Sequence, residues 1–392
     1  MEALSLRSFY CDGYKAFASR REVAVEPVTV VFGRNNSGKT SLVRLPLFAA
    51  ASLSGASRRM YALSHGRIRF GSSFRGLANA DQPHPHLAFG VAWDEGRSLG
   101  VELQYLASSI ELEESVQLSS AELDGVDYRF QLQLSLGEDT PPLQMLREAV
   151  HGEYRRRLER NMEDLSKLLE GTVHIDSSRP AILATYETRE PGEWSSEEAP
   201  YLLAEDSRLR RSVDAWLQNE LDQTSIDVDK AGFAFRLVAT DARRRTLVNL
   251  SDAGSGTQSV VPLATILLAV AQGLHHSELV IVEEPEAHLH PSAHGAVADL
   301  VIACAKRSNV LVETHSENFI LRLRRRVAEG KVGPQEVALY YVDLNQKLAR
   351  VQLDEQGMTD DWPAGVFEYD VAEAQAIVQA KLRTMNKETP SR

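Results

Sequence analysis

The run Gly33-Arg34-Asn35-Asn36-Ser37-Gly38-Lys39-Thr40 has the residue types and the spacing of a phosphate-binding loop. Its glycines let the backbone curl so that several N–H groups face one anion. The helix expected after Thr40 adds partial positive charge at its N-terminus. The context fits: residues 28–32 are apolar and strand-like, and residues 41–51 are compatible with a helix. Lys39 is expected at the β- and γ-phosphates and Thr40 is expected to offer its hydroxyl to Mg²⁺. Gly33, Asn35, Asn36, Ser37, Gly38 and Ser41 complete the expected cradle. A polar surface turn is the bland alternative, and the preceding strand, the spacing and the Lys-Thr pair weigh against it. The expected ligand is a nucleoside triphosphate, ATP, with Mg²⁺.

Two downstream segments carry groups suited to hydrolysing such a ligand. Residues 279–282 form an apolar run typical of a buried parallel strand, ending in Glu283-Glu284-Pro285-Glu286. Acids at the C-terminal end of a strand face the ligand crevice. Glu283 is expected to be the Mg²⁺ partner through water, and Glu284 the general base that orients and deprotonates the attacking water. Asp is the usual residue at the metal position, so Glu283 is a departure. A third strand-like run, 309–312, leads into Glu313-Thr314-His315-Ser316. His315 is expected to donate a hydrogen bond to the γ-phosphate or to the attacking water.

Between the loop and the acids lies Leu250-Ser251-Asp252-Ala253-Gly254-Ser255-Gly256-Thr257-Gln258-Ser259, followed by an apolar helical stretch over 260–271. Small residues ahead of a helix make a second anion nest. One cradle already serves one nucleotide. The second, with Ser251, Gly254, Gly256 and Gln258, is therefore expected to meet the nucleotide of a partner subunit, as in an ATP-sandwich homodimer. A glycine-rich helix entry with a Ser or Asp cap is the alternative.

The order of phosphate loop, signature-like glycine segment, acid pair and histidine resembles that of ABC-type ATPase heads. In detail, the loop, residues 283–291 and residues 313–319 are similar to the RecF/SMC branch and to the ATPase domains of OLD-family proteins. The resemblance extends to AAA-type, SMC-like ATPases of prokaryotic defence and mobile loci. Such proteins carry a Gly-Phe segment, here 71–77, an Arg-Pro element, here Ser177-Ser178-Arg179-Pro180, an Arg-rich helix, here 321–327, and a Trp-Pro tail, here Trp362-Pro363. Only the nucleotide motifs are specific. Relatives read Ser-Gln in the signature where this chain reads Gln258-Ser259, which leaves open the side chain that meets the partner's γ-phosphate.

The resemblance implies an α/β fold: an ABC/SMC-type P-loop ATPase head with an antiparallel β subdomain and a helical insertion. Two functional classes follow. One is an ATP-hydrolysing dimer switch in an antiviral defence or DNA-maintenance system, acting with a separate effector. The other is a slowly hydrolysing sensor or scaffold that holds an effector such as a nuclease or toxin. Fewer than eighty residues follow His315, so an OLD-type nuclease domain is not expected here. Oligomers beyond the dimer are left open.

The 392 residues are 43% hydrophobic, and no apolar run approaches the ~18 residues needed to cross a bilayer. No signal peptide is evident, and two cysteines, Cys11 and Cys304, cannot build a disulfide framework. These features lead us to expect a cytoplasmic enzyme with no membrane partner. A net charge of −12 argues against a uniformly basic nucleic-acid binder. Three arginine-dense stretches, 155–160, 243–245 and 322–326, are read as solvated faces paired with acids, with DNA or RNA contact left open. His288, His290 and His294 have metal-ligand spacing, but the resemblance to ABC-type heads implies packing near a dimer interface instead.

Three parts are expected: 1–140, an N-terminal ATPase lobe with the phosphate loop and antiparallel strands at 87–93, 99–105, 110–118 and 128–136; 141–232, a mainly helical insertion; and 233–392, a C-terminal ATPase lobe with signature, acids, histidine and tail. In the insertion, Pro141-Pro142 precedes a helix over 143–169, a loop spans 188–198, and a second helix spans 207–218. A hairpin of 233–239 and 245–250 is expected to deliver the signature, and a polar tail from Asn386 is expected to fray.

Overall fold

We describe a computed structural model over residues 5–57, 59–106, 115–129, 146–147, 150–192, 194–221, 224–241, 246–359 and 362–363. The chain opens with β1 (Leu6–Asp12), β2 (Arg21–Ala24) and β3 (Val28–Gly33), then α1 (Lys39–Val43) and α2 (Leu45–Leu53). A short hairpin, β4 (Ser64–His65) and β5 (Ile68–Arg69), and the one-turn helix α3 (Phe74–Leu77) lead to β6 (His86–Trp93), β7 (Ser98–Leu106), β8 (Ser115–Leu123) and β9 (Val126–Arg129). Next come α4 (Glu153–Gly171), β10 (Thr172–Ile175), β11 (Tyr186–Glu187), α5 (Ala199–Glu205), α6 (Ser207–Glu220), β12 (Thr224–Ala231), β13 (Ala234–Asp241) and β14 (Thr246–Asn249). The C-terminal part runs α7 (Ser255–Ala271), β15 (Leu279–Glu283), α8 (Pro291–Ala305), β16 (Asn309–Thr314), α9 (Glu317–Ala328), β17 (Val337–Val342) and β18 (Leu348–Val351).

The strand that ends at the phosphate loop lies inside a six-stranded sheet of order β10-β15-β16-β3-β17-β18. Five of its strands run parallel and β18 closes the edge antiparallel. All five residues of β15 and the first five of β3 are buried, as continuous apolar runs must be when both faces are covered. Alternation sorts the side chains. Leu279 and Ile281 face one core with Val31 and Leu311, while Val280 and Val282 face the other with Val30 and Val310.

The first core lies between this sheet and a six-stranded antiparallel sheet, β2-β1-β6-β7-β8-β9, with α2 between them buried at all nine positions. α4 docks here through Leu158, Met162, Leu165 and Leu168, each worth about 2 kcal/mol on burial. Arg97, almost fully buried, ties the helix down by donating to Asn161 and to Asp164. The second core packs α5, α6, α7, α8 and α9 on the opposite face together with a four-stranded sheet of β11, β13, β12 and β14.

The strands expected at 87–93 and 99–105 are β6 and β7, and the hairpin ahead of the signature is β13 with β14. Segment 141–232 supplies helices α4 to α6, but it also supplies strands. β10 pairs parallel with β15 at the edge of the nucleotide sheet, and β12 pairs with β13 along its whole length. Of the helix expected over 143–169, α4 begins only at Glu153, because residues 150–152 are not helical and Gly152 precedes it at φ +64°. Residues 110–114, 130–136 and 143–145, Pro141-Pro142, Arg243 to Arg245 and the tail from Asn386 lie outside the described residues. No helix among the described residues is long and apolar enough to cross a membrane.

Candidate active site

The loop after β3 is built around two glycines that no other residue can replace without strain. Gly33 has φ +148°, and a Cβ there would lie 2.2 Å from the carbonyl oxygen of Val342 on the neighbouring strand. Gly38 has φ +97° and caps α1, with the Phe17 ring 3.0 Å from where a Cβ would stand. Ser37 between them is fully buried, and its hydroxyl has no hydrogen-bond partner among the described residues. Lys39 is 3% exposed and donates from Nζ to the carbonyl of Arg34 at 2.8 Å. Burial lowers its pKa, and Glu313, Glu284 and Glu286 work against that shift. Orphan hydroxyl, buried ammonium and helix N-terminus are the donor set a triphosphate requires.

A cleft of about 710 Å³ opens over this loop, lined by Asn35, Asn36, Gly38, Lys39, Thr40, Ser41, Glu284, Glu286, Glu313 and His315. The parallel register explains the convergence: β16 pairs with β3 and β15 with β16, so the loop, the acids and the histidine meet at the C-terminal ends of three successive parallel strands. Glu284 has φ +42°, a left-handed conformation uncommon for a side chain of its kind, and its N–H donates to the Glu313 carbonyl at 2.8 Å. Thr40 donates from Oγ1 to Glu313 Oε1 at 2.9 Å, and Lys39 Nζ lies 4.0 Å from the same oxygen. Burial pushes Glu313 up to about 7 despite those two partners. One ligand atom each from Glu284, Glu313 and His315 lies within 4.8 Å of the others.

Glu283 departs from its expected role. Arg44 donates to both of its oxygens, Nε to Oε1 at 2.5 Å and Nη2 to Oε2 at 2.6 Å, and His174 Nε2 sits 2.7 Å from Oε1. Burial alone would raise this carboxyl, but the hydrogen bonds from Arg44 and His174 outweigh it and hold the group at about 2. The acid that reaches Thr40 is Glu313, one strand closer to the loop. Glu286 accepts from the His315 N–H at 2.7 Å through Oε1, and its buried Oε2 has no hydrogen-bond partner among the described residues. Burial raises the Glu286 carboxyl, and it lowers His315 with Lys39 adding to the effect.

The signature residues do not line this cleft. The Ser251 N–H donates to Asn249 Oδ1, and Gln258 donates from Nε2 to the carbonyls of Ser251 and Ala253. Gly254 caps α7, and Gly256 presses on residue 288, where a Cβ would stand 2.9 Å from the carbonyl oxygen. Among the described residues, Gln258 thus braces the glycine turn from within.

The model of the family described as "AAA domain, putative AbiEii toxin, Type IV TA system" matches residues 113–322, more than half of the chain. The chain belongs to this family. The matched span of this AAA ATPase holds Arg179, the signature segment, the acids and His315, and the phosphate loop precedes it. Among solved structures, the chain is similar to an SMC head bound to the C-winged helix domain of ScpA, at 12% identity and a TM-score of 0.50, with 90% of this chain and 98% of that one covered. It is also similar to the SMC head domain from Thermotoga maritima, at 13% identity and a TM-score of 0.44, covering 89% and 99%. A search of curated proteins gives no match. The fold is that of an SMC/RecF-like, ABC-type AAA ATPase head.

Other features of this AAA ATPase have structural employment. Arg322 and Arg326 of α9 both donate to Asp299 of α8, Arg325 donates to Glu329, and Arg324 to the carbonyl of Gly357. In α4, Arg155 and Arg157 pair with Glu159 and Glu153. Trp362 stacks on Phe32 at 5.6 Å, and Phe74 of the Gly-Phe segment is fully buried. His290 accepts from the Ser292 N–H and so caps α8, while His294 bridges Ser316 and the Leu289 carbonyl. The roles of Glu313, Glu286, Arg44, His174 and Arg179 emerge only in the fold. For Glu313 a signal existed in the sequence: it ends a strand as Glu283 does, and the two are register partners.

Proposed function

We propose that the protein hydrolyses ATP and acts as a nucleotide-driven homodimer switch, with a separate effector protein such as a nuclease or toxin, in an antiviral defence or DNA-maintenance system. The observation that carries the reading is the single cleft where Lys39 and Thr40 of the loop face Glu284, Glu313 and His315. Lys39 and the loop amides bind the β- and γ-phosphates. Glu284 orients the attacking water and takes its proton, and His315, held largely neutral by burial, donates a hydrogen bond toward the γ-phosphate. Thr40 and Glu313 would hold Mg²⁺, which would supply positive charge to offset that of the phosphates. Glu283 instead keeps Arg44 and His174 in place beneath the site. Ser251, Gly254 and Gly256 present the start of α7 to the nucleotide of the second copy. The AbiEii-toxin description of the family and the complex of an SMC head with ScpA support the idea of a protein partner.

The test is steady-state ATP turnover of the wild type, Glu284→Gln and Lys39→Ala. Glu284→Gln is expected to lower kcat by at least ~100-fold with little change in KM, and Lys39→Ala to abolish nucleotide binding. Wild-type turnover by Glu284→Gln would sink the assignment. One observation favours the slower scaffold reading: Glu283, at the usual metal position, is fully engaged by Arg44 and His174. A wild-type kcat below about one per minute, against the ~1–10³ per second common for enzymes, would select it.

A further inference from the structure

Glu284 stands in a conformation that its own chemistry does not favour. A non-glycine residue at φ +42° persists only where its surroundings over-determine it, and Pro285 narrows the choices of the residue before it further. Two contacts fix this peptide from either side. On one, the Glu284 N–H donates to the Glu313 carbonyl at 2.8 Å. On the other, Arg179 donates from Nη2 to the carbonyls of Glu283, at 3.0 Å, and of Glu284, at 3.2 Å.

Arg179 itself is expensive to place there. Its Nε and Nη1 are buried with no hydrogen-bond partner among the described residues, and desolvation lowers the guanidinium to about 10, still a cation at neutral pH. An arginine recruited only to balance charge would turn those donors to a carboxylate. The nearest acid on the strand, Glu283, is already occupied on both oxygens by Arg44 and on one by His174. What Arg179 holds is backbone, at the two carbonyls that flank the Glu284 turn. Its positive charge lies near Asp176, Glu283, Glu286 and Glu284, so it also offsets the crowding of acids at the strand end. The residue sits just after β10, on the segment leading to β11 and the sheet that carries the signature. A shift of that sheet would therefore be felt at the Glu284 peptide.

We propose that Arg179 is a positioning residue for Glu284: its guanidinium pins the end of β15 in the left-handed turn that places the Glu284 carboxylate in the cleft. The inference rests on the reading of Glu284 as the general base. It predicts that Arg179→Met lowers kcat without loosening substrate binding, because the phosphate loop is untouched. It predicts further that the loss vanishes where Glu284 is already disabled.

The experiment is a double-mutant cycle in ATP turnover with wild type, Arg179→Met, Glu284→Gln and the double variant, plus Arg179→Lys as the conservative replacement. Expected are a kcat at least ~20-fold lower for Arg179→Met with KM within about threefold, and a double variant no slower than Glu284→Gln alone. Arg179→Lys, which keeps the cation and one group of donors, should recover part of the loss, and it carries the test should Arg179→Met fail to fold. If Glu284→Gln is inactive while both Arg179 variants turn over at the wild-type rate, the Arg179 proposal alone is overturned. It is likewise overturned if their losses multiply with that of Glu284→Gln or appear in KM. If Glu284→Gln hydrolyses ATP like the wild type, or the wild type does not hydrolyse it, the base assignment and the Arg179 proposal fall together.

Discussion

Glu283 and Glu313 are register partners on adjacent strands, yet their surroundings drive them in opposite directions. Burial raises Glu313 from 4.5 to about 7, whereas Glu283, also buried, is held at about 2 by Arg44 and His174. Folded Glu313 binds its proton more tightly than the unfolded chain does. Its contribution to stability is therefore present below about pH 4.5 and is lost as pH rises through about 7. Folded Glu283 holds its proton less tightly, so its contribution is present above about pH 4.5 and is lost as pH falls toward 2. Each amounts to about 3 kcal/mol when complete. Between about pH 5 and 7.5 Glu313 alone of this pair is titrating, and Glu313→Gln should flatten the decline in the stability of the nucleotide-free protein over that range. Urea unfolding at several pH values measures this, and unchanged slopes in the variant would contradict it. The sequence could not reveal this division. Arg44 and His174 lie 239 and 109 residues from Glu283 in the chain, so only the folded sheet shows which acid is paired and which faces Thr40.

At the scale of elements, β3, β15 and β16 were legible because each is a short apolar run ending in residues with chemistry to do. β10 was not, since its four residues follow α4 directly and are too few to show a pattern, and its strand character comes from pairing with β15. The start of α7 was legible as a glycine turn, but its seat was not. Gly256 lies against residue 288, whose own φ is +65°, so the helix N-terminus and the turn after the acids form one close-packed contact. Gly256→Ala puts a methyl group 2.9 Å from that carbonyl, and one of the two elements must move. We expect Gly256→Ala to bind ATP as the wild type does but to lose at least ~10-fold in turnover, because the displaced signature no longer meets the second nucleotide. Fluorescent-nucleotide titration beside the turnover assay separates the two effects. Equal loss in both would place the damage in the phosphate loop instead.

Across the described residues, one largely parallel sheet separates two cores, and the phosphate loop, Glu284, Glu313 and His315 gather at the C-terminal ends of its strands. The arginine-dense helices spend most of their charge within the fold, on Asp299, Glu329, Glu153 and Glu159. The net charge of −12 works against long-range attraction of nucleic acid by the molecule as a whole. The signature segment stands apart from the cleft in its own chain, a separation that fits the proposal that a second copy brings its signature to the bound nucleotide. The most direct test is the solution mass of Glu284→Gln by sedimentation, with and without Mg-ATP. A shift from monomer to a stable dimer is predicted when Mg-ATP is added, with reversal when nucleotide is removed. A mass that is the same with and without Mg-ATP, in a protein shown to bind the nucleotide, would contradict the dimer switch.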